Sequence, residues 1–128
     1  MSSRLSAISV IAVALLLTAC PPAVKVSVYN NTTDPITVVW LRGQRLVLAP
    51  HSASTLPFPP VLESFSVVRR GVQRDYIIRY PGKEFMYPSY RYGLQIEATG
   101  KIYAVQSSTM PVAHLPLQPS GYPLVPRR

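Results

Sequence analysis

Hydrophobic and polar positions divide the chain into three stretches. Ala7 to Leu17 is eleven residues, apolar apart from Ser9. As a helix such a run measures about 16 Å, against a bilayer core of about 30 Å. It is too short to span, and Pro21-Pro22 stops it from continuing. From Val24 the period changes to two. Val24, Val26 and Val28 fall on one side and Lys25, Ser27 and Tyr29 on the other, which predicts a half-buried strand. Asn30-Asn31-Thr32-Thr33-Asp34-Pro35 is a turn by composition. Ile36 to Leu41 is apolar at both parities, as in a central strand covered on two faces. Arg42-Gly43-Gln44-Arg45 turns the chain into a short strand ending at Leu48. Ala49 to Pro60 reads as a Pro- and Ser-rich loop, extended over Ser54 to Phe58.

Ser64 to Arg70 is the next predicted strand, with Phe65 and Val67 on one face. Gly71 ends it, and Gln73 to Tyr80 pairs back with Tyr76, Ile78 and Tyr80 on one side. Pro81-Gly82 turns, and Lys83 to Ser89 is irregular. Tyr90 to Ala98 is the longest strand: Tyr92, Leu94 and Ile96 point inward, Arg91, Gln95 and Glu97 outward. Thr99-Gly100 closes a hairpin onto Lys101 to Gln106. About seven short strands with frequent turns predict an all-β sandwich over residues 24–106. The third stretch, residues 107–128, is punctuated by Pro111, Pro116, Pro119, Pro123 and Pro126, which favour an extended arm. Leu115, Leu117, Tyr122, Leu124 and Val125 are too apolar for a wholly solvated tail, so the arm either lies along the sandwich or serves a partner.

The start of the chain has the form of a secretory signal peptide: Arg4, the apolar run, then Leu17-Thr18-Ala19-Cys20. Those last four residues resemble the lipobox of bacterial lipoproteins. The resemblance implies cleavage before Cys20, a signal helix over residues 1–19, acyl chains on Cys20 and a short tether over residues 20–23. It further implies an envelope location, lipid-anchored at the outer membrane and facing the periplasm. Within the mature stretch, Val26-Ser27-Val28-Tyr29-Asn30-Asn31-Thr32, Ile36-Thr37-Val38-Val39, Gly43 and Leu48-Ala49-Pro50-His51-Ser52 resemble the opening of bacterial immunoglobulin-like envelope domains. On that likeness the expected fold is a small immunoglobulin-like β-sandwich. The acceptor motifs Asn30-Asn31-Thr32 and Asn31-Thr32-Thr33 belong to a glycosylation pathway not expected beside a bacterial lipobox.

Composition sharpens this. The 128 residues carry a formal charge of +8, which falls by one if Arg4 leaves with the signal. A basic domain in an envelope meets anionic lipid, lipopolysaccharide phosphate or acidic polymer rather than nucleic acid. Fourteen prolines disfavour long helices. Cys20 is the single cysteine. Lipidation would use it, so the sandwich must be held by its core without a disulfide.

Catalytic inventories are thin. His51 and His114 are the only histidines, and there is no Gly-x-Ser-x-Gly elbow to build a hydrolase triad on. The five carboxylates, Asp34, Glu63, Asp75, Glu84 and Glu97, are scattered on turns and outward positions. Two distant histidines and no mature thiol do not make a zinc site, and no cofactor motif is present. Two clusters remain as candidate binding sites. Arg69, Arg70, Arg74 and Arg79 flank one hairpin and suit an anion; the alternative is a solvated face that keeps an edge strand from aggregating. Tyr87, Tyr90, Arg91 and Tyr92 surround Pro88 and suit a sugar or protein partner; the alternative is cross-strand packing, with Tyr90 and Tyr92 both facing inward. The expected function is a non-enzymatic, lipid-anchored envelope protein that binds or supports an assembly through a protein partner. The alternatives are an inhibitor or exclusion factor acting on an envelope enzyme or phage, and an envelope polymer hydrolase.

Overall fold

The computed structural model describes residues 24–40, 43–56, 64–86 and 90–127. The signal run, the tether, Cys20, Leu41, Arg42, Glu63 and Tyr87 lie outside them. The described residues form a small all-β sandwich of two four-stranded sheets. Its strands are β1 (Lys25–Asn31), β2 (Ile36–Trp40), β3 (Gln44–Leu48), β4 (Ala53–Leu56), β5 (Ser64–Arg69), β6 (Val72–Ile77), β7 (Arg91–Glu97) and β8 (Ile102–Val105). One helical turn, α1 (Lys83–Met86), precedes β7. It replaces the irregular segment expected there, because Phe85 drops into the core and Phe85 N–H donates to the Gly82 carbonyl.

The first sheet has the order β4-β1-β7-β8 and the second β3-β2-β5-β6. All pairs are antiparallel except β1 with β7, which run side by side from Lys25↔Arg91 to Asn31↔Glu97. Val26, Val28, Leu56, Tyr92, Leu94, Ile96, Ile102 and Ala104 from the first sheet pack on Ile36, Val38, Leu48, Phe65, Val67 and Tyr76 from the second. Phe65 and Tyr76 stack across β5 and β6 with ring centroids 5.4 Å apart. These inward positions match the period-of-two reading.

Four expectations are corrected. Ala53–Leu56 is a full strand on β1 rather than part of a loop. Strand β2 is central but buried on one face only, with Thr37 and Val39 half-exposed, since nothing described covers the outer face of its sheet. Tyr80 is 58% exposed rather than in line with Tyr76, because β6 ends at Ile77 and the chain leaves the pleat. On β1 and β7 the outward row is also buried: Ser27, Tyr29 and Gln95 are covered, Gln95 completely.

The cover at Gln95 is the C-terminal arm. After a 3₁₀ turn at Ser107–Thr109, Val112 N–H donates to Gln95 Oε1 at 3.1 Å and Gln95 Nε2 donates to the Val112 carbonyl at 3.4 Å. Gly93 leaves room for this crossing, since a Cβ there would sit 2.7 Å from Met110 Sδ. The arm then turns over the free edge of β8. Gln118 gives Ala104 both halves of a ladder, accepting from its N–H at 2.8 Å and donating to its carbonyl at 3.0 Å. Leu124 pairs with Ile102 through two backbone bonds of 3.0 and 2.7 Å, and Tyr122 and Leu124 enter the core. Arg127 N–H reaches the Asp75 carbonyl on β6, so the arm bridges the two sheets along one side.

Candidate functional site

Two clusters, at opposite ends of the sandwich, collect the residues singled out in the sequence. The first is built by the two-residue loop Arg70-Gly71 between β5 and β6. Both residues take positive φ, 52° and 74°, as a tight primed hairpin turn requires. That turn swings Arg70 back toward Asp34. Arg69 Nε and Arg70 Nε each donate to Asp34 Oδ2 at 2.9 Å, and Arg69 adds Nη2 to the same oxygen at 2.8 Å. Arg69 Nη1 also caps the Ala98 carbonyl at 3.0 Å, tying the β5–β6 hairpin to the β7–β8 turn. Hydrogen bonding from Arg69 above all holds the Asp34 carboxyl below its ordinary range; burial opposes it, and the hydrogen bond and charge of Arg70 add to the lowering.

Beside this group lies an open cleft of about 200 Å³. Its walls include Ile36, Val67, Tyr76 and Ile96, with Arg69, Arg70, Arg74 and Glu97 around them. Tyr76 Oη donates to the Gly100 carbonyl at 2.6 Å, and burial raises its pKa. The Arg74 guanidinium packs against the Cα side of Gly100, where any Cβ would clash with it. Three of the four predicted arginines therefore do converge. Arg79 does not: it lies beyond the far end of β6, where its backbone carbonyl accepts from Tyr122 Oη at 2.6 Å. Two of the three are already committed to one carboxylate, and Glu97 accepts from Asn31 and Gln95. What the cleft offers chemically is an apolar floor with the Arg74 guanidinium and the Glu97 carboxylate among its walls, the first of them suited to a small anion.

The second cluster sits where β1 and β7 begin. Tyr92 is buried as expected, and burial, helped by nearby Tyr80, pushes its pKa up to about 12. Tyr90 is corrected: it precedes β7 in a turn and is 60% exposed, its carbonyl accepting Lys25 N–H at 2.9 Å. Arg91 is exposed and stands in register with Lys25. Sequence reasoning missed Lys25, Tyr80 and Lys83 as members of this cluster. The parallel β1–β7 pair that assembles them joins residues far apart in the chain, and no local pattern signals it.

Among the described residues, no three His, Cys, Asp or Glu side chains gather as a metal site would need. No described helix is long and apolar enough to cross a membrane. Compared with protein families, curated proteins and solved structures, the chain matches none.

Proposed function

We propose that this chain is a lipid-anchored lipoprotein of the cell envelope, with a non-catalytic role in binding or supporting an envelope assembly. The observation that carries the reading is Leu17-Thr18-Ala19-Cys20 at the end of a short apolar run, with Cys20 the only cysteine in the chain. An acyl-bearing cysteine four residues before Val24 would hold the sandwich against the membrane, at the outer membrane facing the periplasm. Exposed apolar side chains on the arm support the binding role: Leu117 is 95% exposed, and Leu115 and Val125 stand out with it. Such residues favour a flat protein contact over a polar loop entering an enzyme's cleft, and so favour assembly over inhibition.

Mass spectrometry of the protein extracted from membranes tests the anchor. The expected result is a mature chain starting at Cys20 and carrying acyl mass, and a Cys20→Ala variant that stays uncleaved and unacylated. A wild-type N-terminus at an unmodified residue other than Cys20 would overturn the reading. Crosslinking in intact cells, comparing wild type with Leu117→Asp, tests the partner. Loss of a discrete adduct in the variant is expected, and an unchanged adduct pattern would remove the arm from the contact.

A further inference from the structure

We propose that the end of the sandwich where β1 and β7 begin is a docking face for an anionic phospholipid surface, which holds the domain in one orientation on its membrane. Four observations meet there. Lys25 and Arg91 open two parallel neighbouring strands, so two exposed cations stand side by side with like charges opposed. The α1 turn packs on this end, its Glu84 carbonyl accepting from Gln106 just past β8, and it presents exposed Lys83. Exposed Arg79 follows the end of β6 on the same side of the molecule. Tyr80 and Tyr90, more than half exposed, lie among these cations. Tyrosine, apolar in body and polar at its tip, is enriched where membrane meets water.

Among the described residues no ion pair answers the charge at this end. The ion pairs among the described residues both belong to Asp34, at the opposite end. Glu84 is the one described carboxylate here; Asp34 and Glu97 lie at the far end and Asp75 on the outer face of β6, where it accepts from Ser66 and Gln73. A phospholipid surface answers four cations and two interfacial rings together. The choice of lipid over a protein partner rests on the lipoprotein reading of Cys20. A chain spans at most about 3.3–3.6 Å per residue, so Lys25 would lie within about 18 Å of an acylated Cys20. The basic end is then the end that the tether brings to the bilayer.

The lysines supply the test. The chain has only Lys25, Lys83 and Lys101, and Lys101 is exposed in the β7–β8 turn at the opposite end. The full-length protein extracted from membranes is reconstituted into phosphatidylcholine vesicles with or without phosphatidylglycerol. It is then treated with an amine-acylating reagent, and the rate at each lysine is read by peptide mass spectrometry. With phosphatidylglycerol present, Lys25 and Lys83 should label about five-fold more slowly, the factor that one cation near an anionic surface is worth. Lys101 should keep its rate. The protection should disappear in about 1 M salt, where the Debye length is about 3 Å. Arg91→Glu should lose it at both lysines while melting like wild type.

Equal rates at Lys25 on the two vesicles, or equal protection of Lys101, would overturn the proposal. So would protection that persists in high salt or on phosphatidylcholine alone, which would mean contact between protein molecules. The intact mass of the same sample separates this proposal from the anchor. An unacylated chain still protected at Lys25 on anionic vesicles removes the lipoprotein reading and keeps the docking face. An acylated chain with no protection does the reverse.

Discussion

Asn30 is a fully buried polar residue with every side-chain group in use. Its buried side chain donates to the carbonyls of Asp34, Leu48 and Ala49 at 2.8, 3.2 and 3.2 Å, and accepts from Thr32 N–H and Oγ1 at 3.1 and 2.7 Å. It thereby fastens the β1–β2 turn to the end of β3. Asn30→Ala should lower the unfolding free energy by about 3 kcal/mol, because each buried polar group left without a partner costs about 1–3 kcal/mol. Urea melts followed by the emission of Trp40, the only tryptophan and a buried one, would read this. Ile96→Ala, which removes a buried side chain from β7, should cost about 2–5 kcal/mol. A change below about 0.5 kcal/mol would place Ile96 on the wrong face. Asp34 gives an acid-side prediction. Its carboxyl is lowered in the folded state, so its contribution is whole above the ordinary value of 3.8 and drains away as pH falls through the lowered one. Urea midpoints of Asp34→Asn should therefore fall less than those of wild type across that acid range.

At the scale of the elements, the arm is held by two glutamine side chains standing in for peptide groups. Pro111 and Pro119 lack the N–H that an ordinary strand would offer. The amides of Gln95 and Gln118 supply matched donors and acceptors to Val112 and Ala104 instead. Gln118→Ala should uncover both polar groups of Ala104 and lower stability by about 1–3 kcal/mol, whereas Leu117→Ala next to it should leave the melt unchanged. Removing residues 109–128 takes Tyr122 and Leu124 out of the core and should drop the melting temperature far below wild type. A truncated domain melting like the whole chain would demote the arm to a tail. This element marks the limit of what the sequence discloses. Alternation located β1, β5, β6 and β7 and their inward residues apart from Tyr80 and Tyr90, which lie beyond the strand ends, and turn chemistry located Gly71 and Thr99-Gly100. A glutamine at an outward parity reads as solvated whether or not a distant segment later lies on it, so the outward position of Gln95 was legible and its burial was not. The arginine cleft was half legible: Arg69 and Arg70 are neighbours in sequence, but Asp34 is brought to them only by the β2–β5 register.

Across the whole molecule, three of the four buried tyrosines face alkali together. Burial raises the pKa of Tyr76, Tyr92 and Tyr122, that of Tyr92 to about 12 from an ordinary 10.0. The folded state keeps these protons longer than the unfolded chain, so their contribution is full below pH 10 and is lost as pH rises through the raised values. Tyrosinate absorbance and Trp40 emission should change in one step over that interval; tyrosinate appearing from all eight tyrosines before any change in emission would show that the three are reachable by hydroxide. Among the described residues, the two ends of the sandwich also divide the charge, ion-paired around Asp34 at one and without an ion pair around Lys25 and Arg91 at the other. The parallel pairing of β1 with β7 has a further consequence in time. The first strand cannot complete its sheet until residue 97 exists, and the side of the sandwich stays open until Leu124 has joined Ile102. Contacts this distant make folding slow to begin. A chain synthesised in order can therefore assemble its second sheet by residue 77 but must hold one edge of its first strand unmatched until residue 97 has emerged.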